Sequence, residues 1–394
     1  MPHYRYLIIG GGMAADAAVH GIRGVDPDGS IGLIGEEIDP PYRRPPLSKG
    51  LWTGESVDSI WSGTESLGVE LQLGCSAKTL DARNKRVVDD QGTSYTFDRL
   101  LLATGGRPRR LPFGDDHVVY FRDLADYRRL RALAERGRRF GVIGGGFIGW
   151  EIAAALALLG KEVVLIFPGG GIGSRLFPPE LSGFLNDFYR EKGVDVVPHS
   201  TVTGAASQGD QVTLTISDGR EMTVDGVVAG LGIELNVELA QGAGLVVDNG
   251  IVVDEFLRTS HPDIYAAGDV AACYSPALGK RRRVEHEDNA TTMGRLAGRA
   301  MAGAPEVYHH LPSFYSDLFD LGFEGVGEVD ARLEVVSDWK EPCREGVLYY
   351  LQGDRVRGVL LWNVWEQVEA ARQLVAESGP VRPADLKGRI PAGA

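Results

Sequence analysis

The sequence has few cysteines, and they are far apart. Cys75, Cys273 and Cys343 are the only three in 394 residues, and no Cys-x-x-Cys pattern occurs. Neither a dithiol redox centre nor a zinc site built from neighbouring cysteines is therefore expected. We interpret the three as buried or unreactive thiols in a reducing compartment.

Long apolar runs and an excess of basic residues are also missing. No run of about 18 apolar residues occurs, so no transmembrane helix is predicted. The apolar strand at residues 6–9 begins so early that we expect no signal or transit peptide. The formal net charge of −13 argues against the basic face of a general nucleic-acid binder. We expect a cytoplasmic monomer or homodimer without membrane insertion.

Glycine, in contrast, is abundant, with 53 residues, and its placement is informative. Residues 10–15 read Gly-Gly-Gly-Met-Ala-Ala between an apolar strand and an alanine-rich helix. This matches G-x-G-x-x-G/A, in which glycines allow a tight turn and bring a pyrophosphate onto the helix N-terminus. Glu36, 24 residues beyond Gly12, follows the next strand and can accept ribose hydroxyls. The predicted contacts are Gly10, Gly12, Met13, Ala14, Ala15 and Glu36.

The same pattern of strand, glycine turn and helix returns 134 residues later. Residues 144–149 read Gly-Gly-Gly-Phe-Ile-Gly, with all three glycines in place. Two such units in one chain predict two bound dinucleotides. The next strand ends in residues 163–171 without a carboxylate. The predicted contacts are Gly144, Gly146, Phe147, Ile148 and Gly149.

A third element places an aspartate after a strand of small residues. Residues 259–269 end in Ala-Ala-Gly-Asp, and residues 103–106 read Ala-Thr-Gly-Gly. Asp269 is suited to hold the ribityl and pyrophosphate part of FAD. Together these two segments are more specific than either glycine turn, and they add Thr104, Gly105, Gly268 and Asp269 to the predicted contacts.

These motifs resemble those of the FAD-dependent pyridine nucleotide reductases with two Rossmann units. Within that family the chain is similar to the branch that holds apoptosis-inducing factor and the oxygenase-coupled ferredoxin reductases. The resemblance covers nearly the whole chain, and it is carried by residues 41–49, 103–109, 144–151, 165–168, 283–286, 314–317 and 361–363.

The resemblance implies an α/β fold with two Rossmann-like domains of the glutathione-reductase type and a small C-terminal α+β domain. FAD would bind to residues 1–112 and 235–308, NAD(P)H to residues 113–234, and residues 309–394 would form the C-terminal domain. No metal is implied.

The resemblance also implies a catalytic pair. Lys49 would lie under the flavin ring near N5, and Glu151 would pair with it. Such a pair is physically reasonable, because the cation supports negative charge on reduced flavin and the carboxylate limits the desolvation penalty. A solvated glutamate in the first turn of a helix is the alternative for Glu151. Phe147 either covers the flavin or is an ordinary core residue.

Further contacts follow from the resemblance alone. They comprise Arg44, Ala77 and Arg122 on FAD, Glu285 and His286 beside the flavin and nicotinamide, and Gly232, Glu324 and Asn363 towards the nicotinamide. Tyr315 stands where the family usually has a tryptophan, and stacking should survive with the smaller ring.

The choice between NADH and NADPH is predicted by a narrow margin. Relatives of apoptosis-inducing factor carry a glutamate for the NADH ribose at the position of Gly169. Its loss removes a repulsive element against the 2′-phosphate, and the first basic residue, Arg175, is six positions on. Resemblance favours NADH, with poor discrimination.

The chain is thus predicted to be an FAD-dependent NAD(P)H oxidoreductase that passes electrons to an acceptor. The leading acceptor is a small acidic ferredoxin or rubredoxin, and the basic run 280–283 is either its docking site or a solvated loop. The alternatives are a quinone or oxygen reductase similar to apoptosis-inducing factor, and an NADH-sensing interaction protein. The eukaryotic C-terminal insertion and basic DNA-binding surface are not seen, so DNA and cell-death roles are not expected.

Overall fold

The computed structural model describes residues 1–114 and 117–391, which divide into two compact units. Unit 1 comprises Met1–Arg44, Ser56–Arg107 and Glu234–Pro312. Unit 2 comprises Pro45–Glu55, Pro108–Ile233 and Ser313–Ala394. The predicted division into three domains stays a prediction, since unit 2 contains most of two of them.

The secondary structure alternates short strands with seven α-helices among the described residues. The strands are β1 His3–Ile9, β2 Ile31–Gly35, β3 Val69–Leu73, β4 Ala77–Asp81, β5 Arg86–Asp89, β6 Ser94–Leu102, β7 Gly106–Pro108, β8 Val118–Tyr120, β9 Arg139–Ile143, β10 Glu162–Ile166, β11 Val194–Val197, β12 Val202–Gln208, β13 Gln211–Ile216, β14 Glu221–Val224, β15 Gly226–Ala229, β16 Ile233–Leu235, β17 Ile251–Val252, β18 Ile264–Ala266, β19 Ala271–Ser275, β20 Lys280–Arg282, β21 Ser313–Leu318, β22 Leu321–Gly327, β23 Glu334–Glu341, β24 Glu345–Gln352 and β25 Arg355–Trp362. The α-helices are α1 Met13–Arg23, α2 Leu124–Arg136, α3 Phe147–Leu158, α4 Pro179–Glu191, α5 Glu238–Gly242, α6 Glu287–Met301 and α7 Val368–Ala376. Short 3-10 helices cover Pro45–Ser48, Gly50–Trp52, Val57–Ile60, Thr64–Leu67, Gly268–Val270 and Pro383–Asp385.

The central sheet of unit 1 has the order β3-β2-β1-β6-β5-β4, and β18 also pairs with β6. The strands β3, β2, β1, β6 and β18 are parallel. In register, Ile9 lies beside Ile34 and Leu102, and Leu102 lies beside Ala266. The carboxyl ends of these strands therefore meet at one edge, where open α/β sheets bind ligands.

Helices α1 and α6 of unit 1 pack against each other at very short range. A Cβ built on Gly294 would overlap the carbonyl of Ala14, and one on Gly298 would overlap that of Ala18. Glycine on α6 and alanine on α1 are thus what this approach requires. The packing fixes the start of α1, at which the first glycine turn ends.

Unit 2 contains a parallel sheet of order β11-β10-β9-β15-β8. Two antiparallel sheets accompany it, β12-β13-β14 and β21-β22-β25-β24-β23. The apolar runs of β9, β10 and β15 are buried, as expected for parallel strands covered on both faces. No helix in residues 1–114 and 117–391 has the length and hydropathy needed to cross a bilayer.

The sequence pattern predicts a helix at 151–159, an irregular loop at 40–49 and one strand at 224–229, and the structure differs from each of these predictions. Helix α3 begins at Phe147 rather than near residue 151, because Gly146 already acts as its N-cap. The proline-rich stretch contains a 3-10 helix at Pro45–Ser48, since prolines in a first turn lose no hydrogen bond. Residues 224–229 are not one strand: β14 and β15 belong to different sheets.

Candidate functional site

The first glycine turn lies at the carboxyl edge of the unit 1 sheet. Gly10 has φ of 116°, and a Cβ there would overlap the carbonyl of Ala103, so only glycine fits. Gly12 is the N-cap of α1, and no side chain of the described residues caps that helix. Its first N–H groups and its dipole form an anion site, and Arg44 Nη2 lies 3.9 Å from where a Cβ on Gly12 would be. This cradle fits the pyrophosphate of FAD.

Asp269 lies beside the first turn of α1. Gly268, with φ of 78°, brings its own Cβ position to 2.9 Å from Ala14 Cβ. Asp269 follows in the 3-10 helix that begins at the end of β18. The turn itself holds Met13, half-buried, and Ala14 and Ala15, both buried. The predicted FAD contacts of three segments thus meet at one sheet edge.

The carboxylate after β2 has a neighbour that the sequence interpretation missed. Glu36 is exposed directly after β2, whereas Glu37 accepts hydrogen bonds from the guanidinium of Arg44 and, at 2.5 Å, from the hydroxyl of Tyr42. Glu37 therefore orients Arg44 at the glycine turn.

The Ala-Thr-Gly-Gly segment is held in place by one asparagine. Thr104 Oγ1 donates to the carbonyl of Asn236 at 2.7 Å, and Asn236 Nδ2 donates to the carbonyl of Thr104 at 2.9 Å. Gly105 has φ of 57° and accepts from the backbone N–H of Asn236 at 3.1 Å. Ala77 is the half-buried first residue of β4.

The segment with Glu285 and His286 is tied to Asp269. Arg283 Nη1 donates to the backbone carbonyl of Asp269 at 3.2 Å and forms an ion pair with Glu285 at 2.5 Å. His286 is the N-cap residue of α6. The basic run is a strand, β20, rather than a loop, and Arg281 donates to the carbonyls of Val253 and Ala272 at 2.9 and 2.8 Å.

His286 should make the stability of the protein sensitive to acid. Burial lowers the pKa of His286 from 6.5 to about 4. Between pH 6.5 and pH 4 the imidazole is therefore protonated in the unfolded chain but not in the folded chain. The free energy of unfolding consequently falls as the pH falls through this range. Relative to His286→Gln, the wild type should lose about 3 kcal/mol of unfolding free energy over that window.

Denaturant titrations of the FAD-loaded proteins at pH 7, 5.5 and 4.5 measure this difference. His309→Gln, which alters an exposed histidine, is the control and should follow the wild type. Parallel pH profiles for the wild type and His286→Gln would contradict the prediction.

The second glycine turn, in unit 2, repeats the geometry of the first. Gly144 has φ of 118°, and a Cβ there would overlap the carbonyl of Gly230. Gly149 lies so close to the carbonyl of Gly144 that a Cβ would overlap it. Gly146 caps α3 without a side-chain bond from the described residues, and Phe147 and Ile148 open the helix. Gly232, with φ of 81°, follows β15 at the same sheet edge. This is a second dinucleotide cradle.

Lys49 and Glu151 form a buried ion pair in unit 2. Lys49 Nζ donates to Glu151 Oε1, and the side chains are 15% and 6% exposed. Ser48 and Ser316 each donate a hydroxyl to the same carboxylate at 2.5 Å. Glu151 therefore accepts three donors and is not a solvated helix-end glutamate. The role of the pair towards the flavin stays a prediction.

Two serines of this cluster, Ser48 and Ser316, lie within stretches that carry the resemblance, but they were not predicted as site residues. Ser316 is fully buried and accepts a hydrogen bond from Trp150 Nε1 at 2.7 Å while it donates to Glu151. The alternation of β21, in which Phe314, Ser316 and Leu318 are buried, is a sequence sign of a buried serine at this position.

Aromatic rings surround the start of α3. The ring of Phe147 is half-buried, with its centroid 4.7 Å from that of Trp150 and 6.0 Å from those of Phe314 and Phe323. Tyr315 is 41% exposed, and Lys49 Nζ lies 5.1 Å from the centre of its ring. A ring contact to the flavin or nicotinamide remains a prediction for both Phe147 and Tyr315.

Among the remaining predicted residues of unit 2, Glu324 on β22 is the register partner of Tyr315 on β21, and Asn363 follows β25, the other neighbour of β22. Glu324 Oε2 is buried without a hydrogen-bond partner among the described residues, and burial raises the pKa of this carboxyl. The side-chain amide of Asn363 accepts a hydrogen bond from the Gly322 N–H, at 2.7 Å, and donates one to the Arg344 carbonyl, at 2.9 Å. Arg122 precedes α2, and Arg175 is exposed in the loop after β10.

Comparison with known proteins extends over almost the whole chain. The model of the pyridine nucleotide-disulphide oxidoreductases matches residues 4–294, and the C-terminal model of apoptosis-inducing factor matches residues 339–377. The ferredoxin–NAD(+) reductase component of an anthranilate 1,2-dioxygenase system from Burkholderia cepacia is 35% identical, over 97% of this chain and 96% of that protein. Mitochondrial apoptosis-inducing factor 1 of Dictyostelium discoideum is 33% identical, over 94% of this chain and 78% of that protein.

A solved structure agrees with these matches. The covalent complex of putidaredoxin reductase with putidaredoxin contains a chain that superposes with a TM-score of 0.90 at 31% identity, covering 98% of this chain and 95% of that one. The predicted α/β fold class and the predicted family and branch are confirmed. The chain belongs to the pyridine nucleotide-disulphide oxidoreductase family and is an FAD-dependent NAD(P)H oxidoreductase.

Proposed function

We propose that this oxidoreductase delivers electrons from NAD(P)H, through FAD, to a small acidic iron–sulfur protein. The observation that carries the proposal is that relatives named as ferredoxin reductases match the chain from end to end, C-terminal sheet included. FAD, when bound, supplies a hydride acceptor that can release electrons singly. The cradle at Gly10 and Gly12 of unit 1 would hold its pyrophosphate.

The cysteines support an electron route without a dithiol. All three are buried and unpaired thiols. Burial raises the pKa of Cys273 to about 11 and also raises the pKa values of Cys75 and Cys343. Because thiolates are the reactive form, these thiols are poor nucleophiles at neutral pH. The proposed function therefore does not include reduction of disulfides, although the family name mentions it.

The contribution of the protein to the chemistry is electrostatic. Lys49 holds a positive charge whose position is set by Glu151, and Ser48 and Ser316 hold the carboxylate. Because Glu151 accepts three donors, these hydrogen bonds offset part of the desolvation cost of burying the carboxylate. A fixed cation of this kind stabilises negative charge that develops close to it.

A second candidate function is an NADH oxidoreductase acting on quinone or oxygen, as in the apoptosis-inducing factor branch. The match of residues 339–377 to the C-terminal model of that protein favours it. The docking role of residues 280–283 is weakened, since Arg281 and Arg283 are committed to backbone carbonyls of their own unit. The cytoplasmic location and the oligomeric state remain predictions, and one relative is named as mitochondrial.

Electron acceptors separate these functions. The holoprotein should reduce cytochrome c with NADPH or NADH only when a [2Fe-2S] ferredoxin is added, with saturation in the ferredoxin. Equal or faster turnover with a soluble quinone or with oxygen alone would overturn the ferredoxin proposal in favour of the second candidate. Fast flavin reduction followed by a long-lived charge-transfer complex and poor turnover with every acceptor would point instead to an NADH sensor.

A further inference from the structure

In unit 2, the loop after β10 lies beside His199, which follows β11 by two residues. β10 and β11 are parallel neighbours, with Ile166 beside Val197. The pairing continues past the strands: His199 N–H donates to the carbonyl of Gly169 at 2.9 Å, and Ser200 N–H donates to that of Phe167 at 3.0 Å. His199 thus lies beside Gly169, in the loop that follows the second strand of this Rossmann unit.

Polar and basic side chains surround this position. A Cβ built on Gly169 would lie 2.5 Å from Ser174 Oγ, so the hydroxyl occupies the place of a side chain at residue 169. A Cβ built on Gly170 would lie 3.1 Å from His199 Cε1. Ser174, Arg175 and His199 are all exposed, and residues 167–177 contain no carboxylate.

The loop is held rigidly and close to the second glycine turn. Asn186, buried on α4, accepts from Ile172 N–H and donates to the carbonyl of Gly170, both at 3.0 Å. Gly173 N–H donates at 3.0 Å to the carbonyl of Gly145, which belongs to the turn itself. The side chains around Gly169 are therefore presented at a fixed place beside the dinucleotide cradle.

In Rossmann units, residues at the end of the second strand contact the adenosine ribose. A carboxylate there binds the 2′-hydroxyl of NAD, and a cation binds the 2′-phosphate of NADP. We propose that His199, with Ser174 and Arg175, binds the 2′-phosphate of NADPH. The inference rests on the proposed function only in that NAD(P)H is the electron donor. His199 follows β11, the neighbour of β10 in the sheet, whereas Ser174 and Arg175 lie in the loop after β10. We therefore expect the protein to use both dinucleotides, instead of preferring NADH by a narrow margin. His199 is then the residue that distinguishes NADPH from NADH.

The test uses binding and reduction together. His199 has φ of 54°, a conformation that asparagine tolerates, so His199→Asn removes the imidazole and keeps the backbone. In the holoprotein, His199→Asn should weaken the binding of 2′,5′-ADP roughly tenfold and leave 5′-ADP within about twofold, since one charged hydrogen bond is lost. Flavin reduction by NADPH, in a stopped-flow instrument, should lose efficiency to the same degree relative to NADH.

Two further variants complete the design. His309→Asn changes an exposed histidine of unit 1 and should leave both nucleotides unaffected. Gly169→Glu should weaken NADPH about ten- to hundredfold and sharpen the preference for NADH, because a carboxylate repels the phosphate, and the exposed Ser174 hydroxyl can rotate away.

An unchanged ratio of 2′,5′-ADP to 5′-ADP affinity in His199→Asn would overturn the inference. A wild type that binds 5′-ADP tightly and 2′,5′-ADP not at all would overturn it as well. Neither measurement involves ferredoxin, so a failure of the proposed acceptor is seen separately, in the cytochrome c assay.

Discussion

Lys49→Ala is expected to slow flavin reduction by NAD(P)H roughly 100-fold, the lower end of the range seen when one electrostatic stabiliser is removed from a reaction site. The flavin midpoint potential should also fall by about 30 mV or more, which corresponds to ~1.4 kcal/mol for a two-electron couple. The physical reason is the loss of a largely buried cation, 15% exposed, that supports negative charge on the reduced cofactor. Stopped-flow absorbance and a redox titration against a reference dye give the two quantities.

Variants of Glu151 separate charge from packing. Glu151→Ala leaves Lys49 largely buried with Asp317, at 3.6 Å, as its remaining carboxylate partner among the described residues, and it removes the acceptor of Ser48 and Ser316. We expect a loss of about 3 kcal/mol in unfolding free energy, the usual cost of breaking a buried pair. The double variant Lys49→Ala/Glu151→Ala should recover part of this loss.

Lys49→Arg is the matched control, because it keeps the charge. The Lys49→Arg protein should have a flavin midpoint potential close to that of the wild type, even if the bulkier guanidinium slows flavin reduction. If Lys49→Ala and Lys49→Arg shift the potential equally, or if neither changes the potential or the rate, Lys49 does not act on the flavin through its charge.

Asp269→Ala is expected to yield protein that purifies largely without FAD. Asp269 follows Gly268, whose Cβ position lies 2.9 Å from Ala14 in the first turn of α1. We predict that its carboxylate contacts FAD at the cradle of the first glycine turn. Loss of a charged hydrogen bond there costs about 2–3 kcal/mol, so FAD affinity should drop roughly hundredfold. Flavin absorbance per protein, before and after dialysis, measures the loading, and fluorescence titration gives the affinity.

Two comparisons make the Asp269 result interpretable. Asp248→Ala removes an exposed aspartate of the same unit and should purify yellow. Asp269→Asn keeps an oxygen acceptor without the charge and should lie between the wild type and Asp269→Ala. Full FAD loading of Asp269→Ala after dialysis would show that this aspartate does not hold the cofactor.

Much of the fold was predictable because its signals are local. Gly10 and Gly144 each follow a run of apolar residues, and both have φ values near 117°, at 116° and 118°. Such a turn can be inferred from a few consecutive residues, since only glycine adopts it freely. The start of α3 was misjudged because Gly146, without a side chain that caps, is a weak start signal. Glu151 consequently lies in the second turn of the helix and not at its solvated end.

The two dinucleotide cradles, the family and the cofactors follow from the amino-acid sequence alone, because glycine turns and the residues that follow each strand are contiguous patterns. The surroundings of each charge follow only from the fold. Glu151 receives Ser48 and Ser316 from segments more than 100 residues away on either side. His199 reaches Gly169 only because β10 and β11 are neighbours in the sheet. Contacts of this kind depend on which strands pair and which faces are buried. The spacing of motifs along the sequence predicts neither.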